Sequence, residues 1–241
     1  MRLLELQALD LTLDQLAHRR RTLPEEIALA GIDAELTQLR DLIIAGQTEL
    51  SDLDDLVAKA DTDVEQVRQR SARDQEMLDS GRITSAKELE SIQHEVVSLQ
   101  RRQSDLEDVE LEVLERAEGA RNSLTALQSE RAAKDAAREQ LANTRDAVAA
   151  DIAHDSDQAR TERAKIAETI PAELLSLYEK LRAASGGIGA ARVHQGRCEG
   201  CRMQLTPIDL GRIRTADADA VVRCEECRRI LVRTDESGLG H

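Results

Sequence analysis

Ile32 to Leu78 reads IDAELTQLRDLIIAGQTELSDLDDLVAKADTDVEQVRQRSARDQEML. Stepping alternately by four and three residues from Ile32 gives Leu36, Leu39, Ile43, Gly46, Leu50, Leu53, Val57, Ala60, Val64, Val67, Ser71, Asp74 and Leu78. Eleven of these fourteen positions are apolar, and the residues between them are mainly polar. An apolar seam of that period is the signature of a coiled-coil helix, roughly 70 Å long at ~1.5 Å per residue.

Downstream, Asp79-Ser80-Gly81-Arg82-Ile83-Thr84 breaks the pattern. Gly81 suits a left-handed helix cap. Ser85 and Glu88 have capping-box spacing at the start of a second helix. A short loop between long helices folds them antiparallel. The second helix runs to about Thr169, on a seam through Leu89, Ile92, Val96, Leu99, Leu106, Val113, Ala117, Ala120, Leu124, Leu127, Leu141, Val148, Ile152 and Ile166. Polar residues at Gln103, Glu110, Arg131, Lys134, Arg138 and Arg145 thin it. Folding back from the loop sets Ile32 opposite the region of Arg131 and residues 1–23 beside the end of the second helix.

Upstream, Leu4, Leu6, Leu9, Leu13 and Leu16 give the first segment its own apolar positions, and Pro24 predicts a break and a restart. Pro171 ends the long helix, and a shorter one spans Ala172 to about Ala184, carrying Leu174, Leu175, Leu177, Tyr178 and Leu181 to seat the C-terminal module. Ser185-Gly186-Gly187-Ile188-Gly189 reads as a flexible joint. The fold class is therefore mainly α: an antiparallel coiled-coil hairpin over 1–170 with its tip near 79–84, a connecting helix over 171–185, then, marked by C-x-x-C pairs at 198–201 and 224–227, a small β zinc ribbon over 186–234 and a disordered tail over 235–241.

Composition agrees. The 241 residues hold no Phe, no Trp and one Tyr, so a thick single core is excluded. The net charge is -14. Residues 186–241 hold nine Arg against eight Asp and Glu, which places the acidity in the first 185 residues and keeps polyanions away from them. No apolar run approaches the ~20 residues needed to span a bilayer. The N-terminus lacks a signal-peptide pattern, so a cytoplasmic location is expected, where thiols stay reduced.

The ribbon assignment rests on Cys198-Glu199-Gly200-Cys201 and Cys224-Glu225-Glu226-Cys227. Two C-x-x-C knuckles supply the four soft ligands of a tetrahedral Zn²⁺. One structural zinc bound by Cys198, Cys201, Cys224 and Cys227 is expected, with His194 an ordinary strand residue. Gly200 permits the first knuckle's turn. A short helix from Thr206-Pro207 puts Ile208, Leu210 and Ile213 on its apolar side, and strands are expected at Ala191–His194, Val221–Arg223 and Ile230–Arg233. The module is small enough that metal binding supplies its folding energy.

Two surfaces are candidates for partners. Arg197, Arg202, Arg212, Arg214, Arg223, Arg228, Arg229 and Arg233 surround the knuckles, a side chain suited to phosphate, with Glu199, Asp217, Asp219, Glu225 and Glu226 interleaved. Arg82, Lys87, Glu88, Gln93 and His94 lie around the hairpin tip. No triad, phosphate loop or paired-carboxylate cleft marks an enzyme.

The segments Thr84-Ser85-Ala86-Lys87-Glu88-Leu89-Glu90-Ser91-Ile92-Gln93-His94-Glu95, Gly196-x-Cys198-x-Gly200-Cys201-x-Met203-x-Leu205 and Cys224-x-x-Cys227-x-Arg229-Ile230-Leu231 resemble those of bacterial C4-type zinc-ribbon proteins with a long N-terminal coiled-coil hairpin. The resemblance implies a hairpin packed against a ribbon, no enzymatic activity and an adaptor role, with RNA, sigma-factor, secretion or flagellar partners in different members. Arg228 stands where such proteins usually carry glycine, and Val232 replaces a common aromatic. The expected function is thus a non-enzymatic zinc-binding adaptor contacting nucleic acid (RNA or DNA) or the transcription machinery through the ribbon. The alternative is a protein-only scaffold or chaperone, binding a transcription or secretion component through the coiled coil and its tip. Either suits a monomer or a dimer.

Overall fold

A computed structural model describes residues 2–239. Five α-helices are present among them: α1 (Arg2–Arg21), α2 (Pro24–Asp79), α3 (Ala86–Glu168), α4 (Ala172–Ala184) and α5 (Pro207–Thr215). Four short strands are β1 (Ala190–His194), β2 (Arg197–Cys198), β3 (Val222–Arg223) and β4 (Ile230–Val232), and a 3₁₀ turn spans Asp235–Ser237. The chain forms two compact units, Ala28–Leu141 and a second assembled from Met1–Ile27 with Ala142–His241. None of the helices is long and apolar enough to cross a membrane.

The unit Ala28–Leu141 is a coiled-coil hairpin. Each of the fourteen seam positions from Ile32 to Leu78 is buried or half-buried, and of the residues between them only Asp63 is not exposed. A seam so narrow follows from two helices alone: each can hide only the stripe that faces its partner. Leu53 packs with Val113 and Ala117 in a buried cluster of the seam. Exposed ion pairs flank the seam between Asp54 and Arg121, Arg68 and Glu107, and Arg70 and Glu95. Arg138 reaches Asp33, and Lys134 reaches Glu35. Side chains near Ile32 thus meet Lys134 and Arg138, about one and two turns beyond Arg131, because Cβ atoms of both helices lean toward their own N-termini. Arg131 and Arg138 are exposed; between Leu127 and Leu141 only Lys134 is half-buried on α3.

At the tip Gly81 adopts φ 64, the left-handed conformation that ends α2. The Ser85 carbonyl accepts the Leu89 N–H. The expected capping box does not form: the side chains of Ser85 and Glu88 have no hydrogen bond among the described residues. Both residues are exposed, so neither side chain is forced to find a partner within the protein.

The second unit is built from both ends of the chain. Leu3, Leu6, Gln7 and Asp10 form the buried stripe of α1, so Leu4, Leu9, Leu13 and Leu16 are only half-buried. Leu3 and Leu6 pack with Ile170, Tyr178, Ala190 and Ile230, which joins α1, α4 and the ribbon sheet in one core. Leu23 is buried at the break and Pro24 starts α2, where its missing N–H is harmless.

Two polar anchors hold this core together. Asp10 is 2% exposed and accepts from Tyr178 Oη at 2.6 Å and Arg163 Nε at 2.6 Å, with Arg182 Nε at 3.5 Å. Burial, then the bond to Asp10, pushes the Tyr178 hydroxyl well above its ordinary pKa. Gln7 donates to the Gly187 carbonyl at 2.8 Å and accepts from the N–H groups of Gly189 at 2.7 Å and Ala190 at 3.2 Å. The segment 185–189, expected to be a flexible joint, is therefore fastened on several sides. Arg229 also donates to the Ser185 and Ile188 carbonyls. A Cβ on Gly189 would lie 2.6 Å from the Tyr178 carbonyl, so glycine is what lets α4 approach β1 this closely.

The ribbon sheet has strand order β2-β1-β4-β3. β1 pairs antiparallel with β2 and parallel with β4 (Ala190 with Ile230, Arg192 with Val232), and β3 pairs antiparallel with β4. Its core is Ala191, Val193, Cys198, Leu205, Ile213, Cys224 and Leu231. Thr206 caps α5 by accepting the Asp209 N–H, and Pro207 fills the first turn. Ile213 is buried and Leu210 half-buried, but Ile208 is 85% exposed and not part of the expected apolar side, because it sits in the first turn before α5 reaches the sheet.

The expected disordered tail is corrected as well. Residues 235–239 are part of the ribbon: Gln195 and Gly196 donate their N–H groups to the carbonyls of Glu236 and Ser237, and buried Ser237 bonds the Val193 carbonyl. These bonds satisfy backbone groups at the β1–β2 turn, which gives a polar segment a reason to be ordered. Residues 240 and 241 lie outside the described residues.

Candidate metal centre

The two knuckles are built alike. Arg202 N–H donates to the Cys198 carbonyl at 2.7 Å, and Arg228 N–H donates to the Cys224 carbonyl at 2.9 Å. Cys198 N–H reaches the Met203 carbonyl, and Cys224 N–H reaches that of Arg229, both at 3.0 Å. N–H groups of Gly200 and Cys201 point at the Cys198 sulfur, as those of Glu226 and Cys227 do at Cys224. Such donors favour thiolate.

All four sulfurs lie within 4.8 Å of one another, with Cys198 Sγ to Cys227 Sγ at 3.8 Å and Cys201 Sγ to Cys224 Sγ at 3.9 Å. A tetrahedron with Zn–S bonds of about 2.3 Å has edges of about 3.8 Å. The donor set therefore fits one structural zinc, with every coordination position filled by the protein. His194 stands outside the cluster, its Nδ1 3.6 Å from Glu236. Burial pushes the Cys198 and Cys224 thiols up. Burial acts on Cys227 in the same direction, but hydrogen bonds from the Arg229 backbone N–H and guanidinium, with those of the Cys201 and Cys224 thiols, outweigh it and bring this thiol down to about 7.

The sequence matches the CT398-like coiled coil hairpin domain over residues 6–186 and the C4-type zinc ribbon domain over residues 197–231. The chain belongs to the CT398-like coiled-coil hairpin family. It is 41% identical over 237 residues to the Mycobacterium tuberculosis protein Rv2229c, covering 97% of this chain and 94% of that one. A Mycobacterium smegmatis protein of solved structure shares 35% identity at a TM-score of 0.77, covering 95% of each chain. CT398 from Chlamydia trachomatis, at 20% identity and a TM-score of 0.64 over 97% of this chain and 96% of that one, shares the fold.

In this CT398-like chain the second knuckle departs from the glycine expectation in a way the structure makes concrete. Arg202 and Arg228 occupy equivalent positions after each second cysteine, and both are left-handed, with φ of 64 and 63. Gly200 has no such conformation. Its Cβ would lie 2.6 Å from Arg229 Cδ and 3.0 Å from Ala191 Cβ, so Gly200 makes room for the Arg229 side chain rather than for a turn.

The eight nominated ribbon arginines divide by environment. Arg229 donates to the Ser185, Ile188 and Gly200 carbonyls, and Arg233 to those of Ile213, Ala216 and Asp217. Both are built into the fold, Arg233 closing the C-terminal end of α5. Arg223 donates to the Arg228 carbonyl and Arg197 to Gln204. Arg212 pairs with Asp209 and Glu225. Arg228 lies 3.6 Å from Glu225 with 62% of its side chain exposed. Arg202 and Arg214 are exposed and have no partner among the described residues. At the tip, Arg82, Lys87, Glu88, Gln93 and His94 are all exposed and unpartnered there. Sequence reasoning missed Gln7, Asp10 and Arg163. A lone buried tyrosine needs a partner for its hydroxyl, and Asp10 falls on the stripe of Leu3 and Leu6, the one signal that was present.

Proposed function

We propose that the protein is a non-enzymatic, cytoplasmic zinc-ribbon adaptor whose knuckle face contacts nucleic acid. The supporting observation is the pair Arg202 and Arg228: two exposed arginines at equivalent knuckle positions, in a backbone conformation glycine adopts without strain. Arg214 adds a third exposed cation. A saturated tetrahedron leaves the metal no place for a substrate, so its role is to hold these side chains on a rigid base. The contact is small, since the net charge of -14 repels phosphate elsewhere.

Titration of labelled single-stranded RNA and duplex DNA at several salt concentrations tests this reading. An Arg202→Ala/Arg214→Ala/Arg228→Ala variant should bind more weakly, with the log–log salt slope reduced by about one for each lost phosphate contact. Equal binding by both proteins, or none by either, rejects it.

A protein-only scaffold is the second reading. It is favoured by the exposed apolar residues Leu56, Val109 and Leu111 off the seam, and by the unpartnered tip side chains. Replacing residues 79–94 by a neutral turn should abolish recovery of a tip-bound partner in a pull-down. Unchanged recovery counts against the tip.

A further inference from the structure

Beside the ribbon lies an open cleft of about 720 Å³. Its floor is apolar. Leu4, Ala8 and Leu11 supply one side from successive turns of α1, and Ile188 and Ala191 supply the other. These leucines are not the α1 residues that build the core, which are Leu3 and Leu6. α1 therefore carries a second apolar stripe, at i, i+4 and i+7, with no helix laid against it here. Leu11 is 37% exposed, and Ala8 between the leucines is small enough for a backbone to approach.

The rim is acidic. Glu199 and Glu236 stand on either side of Arg192, whose guanidinium bonds both, at 3.0 and 2.8 Å. Asp235 has no partner among the described residues and lines the same rim. Three carboxylates against one guanidinium leave a surplus of negative charge around an apolar floor.

We propose that this cleft receives a basic amphipathic helix of a partner protein, with aliphatic side chains against Leu4, Ala8 and Leu11 and Lys or Arg over Glu199, Asp235 and Glu236. The stripe spacing matches what one helix presents to another. The rim charge selects among occupants. Phosphates of nucleic acid or anionic lipid are repelled by it, and a second copy of a chain with net charge -14 is disfavoured in the same way. None of Arg202, Arg214 and Arg228 lines the cleft, so the inference stands apart from the nucleic-acid reading.

The test uses the full-length zinc-loaded protein and three labelled peptides followed by fluorescence anisotropy. One is a Leu/Lys amphipathic helix; one keeps its leucines with Glu in place of Lys; one keeps its lysines with Ser in place of Leu. Proteins are the wild type, Ala8→Arg, Leu11→Arg and, as a control of equal charge change, Leu42→Arg on the hairpin. Zinc content and helical circular dichroism verify folding. The Leu/Lys peptide should bind wild type and Leu42→Arg alike, and the two α1 variants at least about tenfold more weakly. Both other peptides should bind wild type at least about tenfold more weakly. Equal binding to all four proteins would reveal only a general attraction to acidic surface and overturn the proposal. So would equal binding of the Ser/Lys peptide, absence of binding, or a wild-type dimer in sedimentation that Ala8→Arg dissociates.

Discussion

Asp10 concentrates the energetics of its unit in one side chain. It is buried, negatively charged and shared by Tyr178, Arg163 and Arg182. Asp10→Ala removes the acceptor and leaves the other groups facing one another, so a loss of about 3 kcal/mol is expected, read as an earlier urea midpoint for this unit. Tyr178 is the chain's one tyrosine and reports on the same place. Its pKa is raised in the fold, so the stability it contributes is whole below its ordinary value near 10 and is lost as pH climbs beyond that. Tyrosinate absorbance should appear well above pH 10, together with loss of helix; ionisation near 10 with the fold intact would contradict the burial. At the knuckles, Arg202→Gly and Arg228→Gly should each stabilise the zinc-bound ribbon by about 1 kcal/mol, by relieving a left-handed residue, while weakening nucleic-acid binding. Thermal melts and binding titrations read the two effects separately. Of this, only the odd Arg228 and the place of Asp10 on the stripe of Leu3 and Leu6 were legible beforehand, because a sequence shows aspartate or arginine without showing whether water or a carbonyl faces it. Arg229 and Arg233 looked like ligands for phosphate on the same grounds as Arg202.

Elements were far more readable than residues. The seam from Ile32 to Leu78 could be written down position by position because a two-helix coil has a single buried stripe with one period. Pro24, Gly81 and Pro171 marked the helix ends for steric reasons that no tertiary context overrides. The ribbon strands were found less completely: β2 has two residues, and the parallel pairing of β1 with β4 joins segments about forty residues apart. Glycines inside helices give a test at this scale. A Cβ at Gly46 would make ordinary contact with Leu124 at 3.6 Å, and one at Gly31 or Gly119 would meet nothing within 4 Å. Each change to alanine should therefore stabilise the hairpin unit by about 1 kcal/mol, because helix propensity rises and nothing collides. A lower midpoint for Gly46→Ala in a circular dichroism melt would mean that the seam there is tighter than ordinary contact.

For the whole molecule, metal and helix separate cleanly. Two of the seven residues in the ribbon core are zinc ligands, and the helices α1 to α4 contain none. Chelation should release one zinc per chain and unfold the ribbon, while the far-ultraviolet helix signal falls only slightly; a large loss would show that the long helices also depend on the ion. The bonds of Gln7 carry a different consequence, one of timing. Its partners lie 180 to 183 residues further along the chain. At translation speeds of ~5–20 residues per second, α1 leaves the ribosome roughly 10–35 seconds before the strand it must grip has been made. The hairpin unit, encoded wholly between the two, can finish folding in that interval. A newborn α1 therefore waits with Leu3, Leu6 and Asp10 uncovered until residues 163–182 emerge and with Gln7 unpaired until residue 187, and any product stopped before residue 163 displays all four permanently, to chaperones and proteases alike.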